Sequence, residues 1–137
     1  MITQKLINQL TYKIIGCAIE VHKELGTGLL ESIYEKCFIH ELRLNNFDVK
    51  SQLTVPILYK GLDIDCDLRL DVLVDNLVVV EIKSTNEMHP IFEAQLLTYM
   101  KLTESPKGIL INFNCKNLFH EGQKTFVNEF FAELPKE

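Results

Sequence analysis

The segment Leu77-Val78-Val79-Val80 is apolar at every position, so neither face of it can be left to water. A strand with one wet face alternates apolar and polar residues, whereas a run apolar on both parities suits a strand covered on both sides. Asp75-Asn76 before it reads as a turn. After it, His89-Pro90 opens a helix, with proline tolerated in the first turn; Phe92, Leu96, Leu97 and Met100 mark its apolar side to about Thr103, and Pro106 closes it. Gly108 to Phe113, GILINF, is a second short apolar strand. Strand, helix and strand in this order predict a right-handed crossover with the two strands parallel.

The remaining elements have to cover that pair. From about Asn8 to Leu25, the residues Leu10, Ile14, Ile15, Ala18, Val21 and Leu25 recur at helical spacing, and Gly26 stops the helix. Gly28 reopens the chain, and Leu30, Ile33, Tyr34, Cys37, Phe38, Glu41 and Leu42 continue a helical period until Asn45-Asn46. Strands begin near Phe47, with a proline, Pro56, that suits an edge or a strand start. Lys60-Gly61 reads as a turn, after which Leu62, Ile64, Cys66, Leu68 and Leu70 alternate with Asp63, Asp65, Asp67, Arg69 and Asp71, the mark of a half-exposed strand. The predicted order is helix, helix, three strands, helix, strand, an α/β arrangement. Beyond Asn114, Phe126, Phe130 and Phe131 suggest a short terminal helix packed on the body.

With 137 residues, no repeat and no linker, the chain is expected to fold as one domain over 1–137. No apolar run approaches the ~20 residues of a membrane-spanning helix, and MITQKLINQL lacks the apolar stretch of a signal peptide, so a cytoplasmic protein with no membrane partner is expected. Cys17, Cys37, Cys66 and Cys115 lie far apart without metal-ligand spacing and read as reduced, mostly buried thiols. The net charge of -5 counts against polyanion binding by the whole-molecule field. The excess is uneven: residues 1–60 carry 7 basic and 6 acidic groups, residues 61–137 carry 7 and 13. Such an excess suits a solvated surface or a carboxylate cluster that a divalent cation would neutralise.

Charge on the apolar strand itself is the clearest chemical signal. Glu81 and Lys83 are two apart and share a strand face, with Ile82 on the other. Asp71 joins them in only one hairpin register: a two-residue loop pairs it with Val80, whereas a three-residue loop or a bulge pairs it with Glu81. In the second register two carboxylates and an ammonium share one patch, which Mg²⁺ would suit; by spacing alone, a Glu81–Lys83 or Asp71–Lys83 ion pair on the strand end accounts for the same charges. Two further pairs carry less information by themselves. Glu31 and Tyr34 share a helix face, with Glu31 also readable as the third residue of a helix capped by Gly28; Gln95 and Tyr99 share a face of the later helix.

Taken in order, GLLESIY, YKG at 59–61, R-x-D at 69–71, VVVEIKS at 78–84, EAQLLTYMKL at 93–102 and GILINF at 108–113 resemble the GxxExxY proteins of the PD-(D/E)xK nuclease superfamily. The resemblance covers about residues 8 to 115. It implies a restriction-endonuclease-like core, a mixed sheet of about four strands flanked by helices. It also implies a nuclease that hydrolyses phosphodiester bonds of DNA, using Mg²⁺ or Mn²⁺ held by Asp71 and Glu81. Lys83 would be the catalytic lysine, Glu31 would complete the acidic site, and Gln95 and Tyr99 would form the Gln-x-x-x-Tyr element that supports the site. RNA as substrate, an idle binding module with the same fold, and a second copy or other protein as partner stay open. Leu70 stands where the superfamily name has proline, and Phe92 where a histidine is expected, with His89 three residues earlier. His22 falls in a segment that also looks like the family but reads as a packed or surface residue.

Overall fold

The computed structural model describes residues 1–64 and 68–137. Helix α1 (Gln4–Leu25) starts on a Thr3 cap and ends at Gly26, whose φ of 71° suits glycine; it is followed by α2 (Glu31–Leu44). Then come β1 (Val49–Thr54), β2 (Ile57–Tyr59), β3 (Leu62–Ile64), β4 (Arg69–Val74), β5 (Val78–Lys83), α3 (Pro90–Leu102) and β6 (Lys107–Asn112). The chain finishes with α4 (Leu118–Glu121), β7 (Gln123–Val127) and α5 (Glu129–Ala132).

Five strands form one mixed sheet in the order β1-β4-β5-β6-β7, with β5 and β6 parallel and the other neighbours antiparallel. Val78, Val79 and Val80 are all fully buried, as an all-apolar strand demands. Helices α1 and α2 cover one sheet face, where Ile14, Ala18, Tyr34 and Phe38 meet Val72, Val80, Ile82, Ile109 and Ile111. Helix α3 covers the other, where Leu96, Tyr99 and Met100 meet Leu73, Val79 and Leu110. No helix among the described residues is long and apolar enough to cross a membrane.

Three sequence expectations change. The strand expected from Leu62 to Leu70 is divided, because among the described residues β3 pairs with β2 alone while β4 enters the main sheet at Arg69; the alternation at 65–67, with Cys66, lies outside the described residues. Phe126 lies on β7, which adds a fifth strand to the expected four, and only Phe130 and Phe131 are helical, in α5. An antiparallel strand here pairs the otherwise open edge of β6, which a helix would leave unpaired. Helix α2 is capped by Leu30, so Glu31 is its first residue and not the third of a helix capped by Gly28.

The loop before α2 is stapled to the sheet. The Tyr34 hydroxyl donates to the Gly26 carbonyl at 2.6 Å and accepts the Leu29 N–H at 3.3 Å, while Ser84 Oγ donates to the Leu29 carbonyl at 2.8 Å. The Tyr34 ring stacks on Phe113, with centroids 4.6 Å apart, so the turn that delivers Glu31 is referenced to the ends of both parallel strands. Tyr34→Phe should keep the stack and cost about 1 kcal/mol in denaturant unfolding through the lost hydroxyl bonds. Phe113→Ala should cost about 3–5 kcal/mol. A Tyr34→Phe variant as stable as wild type would show that packing alone holds this corner.

Candidate active site

The site begins at an irregularity in the sheet. Strands β1 and β4 pair from Val49↔Val74 to Ser51↔Val72 and again at Leu53↔Leu70, leaving Gln52 and Asp71 facing one another outside the regular pairing. On both strands the face changes there: Val49 and Val72 belong to the α1–α2 side of the core, Leu53 and Leu70 to the α3 side. Gln52 has φ of 50°, a left-handed conformation unusual for a residue with a side chain. The two strands turn over together, and Asp71 sits at the crossing point.

The second strand pair fixes the register. Asp75 and Asn76, with φ of 52° and 56°, make a tight turn closed by the Leu77 N–H on the Val74 carbonyl at 2.9 Å. Leu77 is then the extra residue, and pairing runs from Val74↔Val78 to Val72↔Val80. Continued by one step, this register sets Asp71 opposite Glu81, the arrangement that the longer loop requires. There the side chains take over from the ladder: the Asp71 N–H donates to Glu81 Oε2 at 2.7 Å, and the Ile82 N–H donates to Asp71 Oδ2 at 2.9 Å.

Burial and mutual repulsion set the electrostatics. Glu81 is 4% exposed, and burial first, then the Asp71 charge, push its carboxyl up to about 8 against the opposing pull of the Asp71 N–H and Lys83. Asp71 is also raised by burial, offset by the Ile82 N–H, Lys83 and Gln52. Burial raises Glu31 too; Lys83 draws it down, Asp71 repels it, and the Ser84 N–H donates to its carboxylate. Tyr99 is raised by burial and then by the charges of Glu81 and Asp71, so it looks onto the pair from α3. Lys83 Nζ lies 4.5 Å from the centroid of the Phe92 ring, where a histidine was expected. Phe92 therefore offers the lysine an aromatic face, while His89 Nδ1 accepts the Ile91 N–H and caps α3.

Asp71 and Glu81 are thus fastened together across the strands, Lys83 acts electrostatically on both, Glu31 is near enough to respond to Lys83 and Asp71, and Tyr99 responds to the pair from α3. Gln95 is exposed one turn earlier on α3, and no hydrogen bond ties it to the carboxylates among the described residues. His22 lies elsewhere, its Nε2 2.9 Å from the Cys115 carbonyl. Two residues escaped the sequence reading. Glu35 was within its reach, lying four residues after Glu31 on the same helix face. Gln52, whose amide reaches both Glu35 and Asp71, carries no local signal, because its place depends on the cross-strand register.

Residues 8–126 match the PD-(D/E)XK nuclease superfamily. The chain belongs to that superfamily. Its five-stranded mixed sheet flanked by helices is the restriction-endonuclease-like architecture, and PD-(D/E)XK nucleases typically use divalent metals. No curated protein and no solved structure matches the chain significantly. Among the described residues no three His, Cys, Asp or Glu side chains already form an ion cage. The donor set nevertheless fits a hard cation: Glu81 Oε1 is left over by the Asp71 N–H bond, each Asp71 oxygen keeps a lone pair beside its bond to the Gln52 amide or the Ile82 N–H, and Mg²⁺ commonly takes one or two carboxylates with water completing its shell.

Because Glu81 binds its proton more tightly folded than unfolded, between its ordinary 4.5 and about 8 the native state holds the extra proton, and stability falls as pH rises through that window. Glu31, Glu35 and Asp71 shift in the same direction. Denaturant unfolding in EDTA should show this decline, and Glu81→Gln should flatten most of it. Wild-type stability that is level or rising over the window would contradict the raised Glu81.

Proposed function

We propose that this chain is a cytoplasmic, single-domain, Mg²⁺-dependent nuclease of the GxxExxY kind that hydrolyses phosphodiester bonds of DNA, with Mn²⁺ as an alternative ion. The observation that carries the reading is the register that opposes Asp71 to Glu81 with Lys83 two residues beyond on the same strand. Asp71 and Glu81 would hold the ion, which when bound polarises a phosphoryl oxygen and acidifies a water. Lys83 supplies the positive group that orients the attacking water or offsets charge developing on the phosphoryl oxygens. Glu31 closes the acidic side. Tyr99 lines the α3 side, and Gln95, exposed one turn before it, would be open to contact with nucleic acid.

The GxxExxY assignment draws support from how each lettered residue is used. Gly28 has φ of 96° in the loop before α2, Glu31 opens the helix next to Ser84, and Tyr34 staples that loop to the sheet. These three positions act as one device for presenting a carboxylate.

Labelled single- and double-stranded DNA and RNA, each with Mg²⁺, Mn²⁺ or EDTA, test the activity and its substrate together. Lys83→Ala should lower the cleavage rate by on the order of 10² or more while leaving the fold and ion binding intact. Asp71→Ala, prepared in parallel, controls for contaminating nuclease. Unchanged cleavage by Lys83→Ala would remove the lysine from catalysis, and no cleavage of any substrate by wild type would favour the idle binding module. Mg²⁺ should also raise the melting temperature by mass action, and Glu81→Gln should abolish that rise. An equal rise in both proteins would place the ion elsewhere on the acidic half of the chain.

A further inference from the structure

We propose that Gln52 is a positioning residue whose side-chain amide separates the Glu35 and Asp71 carboxylates and fixes the orientation in which Asp71 meets a divalent cation. The proposal rests on the metal-site reading above and deepens it. Gln52 Nε2 lies 3.1 and 3.0 Å from the two carboxylate oxygens of Glu35 and 3.5 Å from Asp71 Oδ1. An amide nitrogen carries two protons, so it can serve both acids at once. Asp71 Oδ2 is already held by the Ile82 N–H at 2.9 Å. Both oxygens of Asp71 are therefore oriented, and each retains a lone pair for an ion.

Neutrality matters as much as reach. Glu35 and Asp71 repel one another across this gap, and a donor between them relieves the repulsion without adding charge. A lysine or arginine in its place would neutralise the cluster and compete with the cation for it. The backbone bears a cost for this placement. Gln52 has φ of 50° between two regularly paired neighbours, Ser51↔Val72 and Leu53↔Leu70, so the flanking ladder holds a conformation that glutamine does not favour. Gln52 lies behind Asp71 and acts on the ion through it, so it is not placed among the catalytic residues.

Two variants separate the side chain from the backbone. Gln52→Asn keeps an amide, shortens its reach by one methylene and suits positive φ better than glutamine. Gln52→Met keeps the length and removes the donor. Each is measured for unfolding stability, for Mn²⁺ binding by electron paramagnetic resonance, and for the Mg²⁺ concentration giving half-maximal cleavage. Gln52→Asn should be at least as stable as wild type, yet bind Mn²⁺ about ten-fold more weakly and need about ten-fold more Mg²⁺, with saturating Mg²⁺ restoring most of the rate. A residue needed only for the fold would show the reverse pattern, with stability lost and ion dependence unchanged. Wild-type Mn²⁺ affinity in either folded variant overturns the proposal. If wild type itself binds Mn²⁺ no better than Glu81→Gln, the metal-site reading fails and this proposal falls with it.

Discussion

Two carboxylates meet where a β-ladder gives way. At the ends of β4 and β5, Asp71 and Glu81 accept backbone N–H groups of the opposing strand at 2.9 and 2.7 Å, so the side chains that would bind an ion also fasten the strands. Everything around the site serves this arrangement. The extra residue Leu77 sets the register, the paired turnover at Gln52 and Asp71 aims the aspartate, and the all-apolar Val78–Val80 run anchors the strand that carries Glu81.

Burying like charges side by side is unfavourable, and the fold answers it in three ways. Backbone donors and the Gln52 amide satisfy carboxylate oxygens, Lys83 contributes the opposite charge, and Glu81 retains a proton up to a pH of about 8. A divalent ion would replace that proton and the repulsion together. Stability and ion binding would then be coupled through the same atoms. The Tyr34 staple and the Phe113 stack keep the helix that carries Glu31 and Glu35 from retreating.

The elements with one dominant period were legible in the sequence. Helix α3 begins at Pro90 on a His89 cap, and the β5–α3–β6 unit is parallel as its order required. The convergence of Asp71, Glu81 and Lys83 was legible only as one of two registers, since loop length and not strand pattern chooses between them. What stayed hidden depends on partners distant in sequence. Strict alternation from Leu62 to Asp71 suggested one strand, but a strand that turns over at Asp71 sends Leu70 and Val72 to opposite faces, and no local pattern encodes that turnover. Gln52 is visible only once β1 is laid against β4. Strand β7 was missed because three phenylalanines within six residues fit a helix face as well as an edge strand followed by one helical turn.

We propose that Asp71 and Glu81 form one cation site. The most direct test is an anomalous-difference map from crystals equilibrated with Mn²⁺. A peak within coordination distance of both an Asp71 and a Glu81 carboxylate oxygen is the expected result. Manganese peaks confined to other acidic side chains at saturating ion, with the Asp71 and Glu81 carboxylates still on the backbone N–H groups of Ile82 and Asp71, would contradict it.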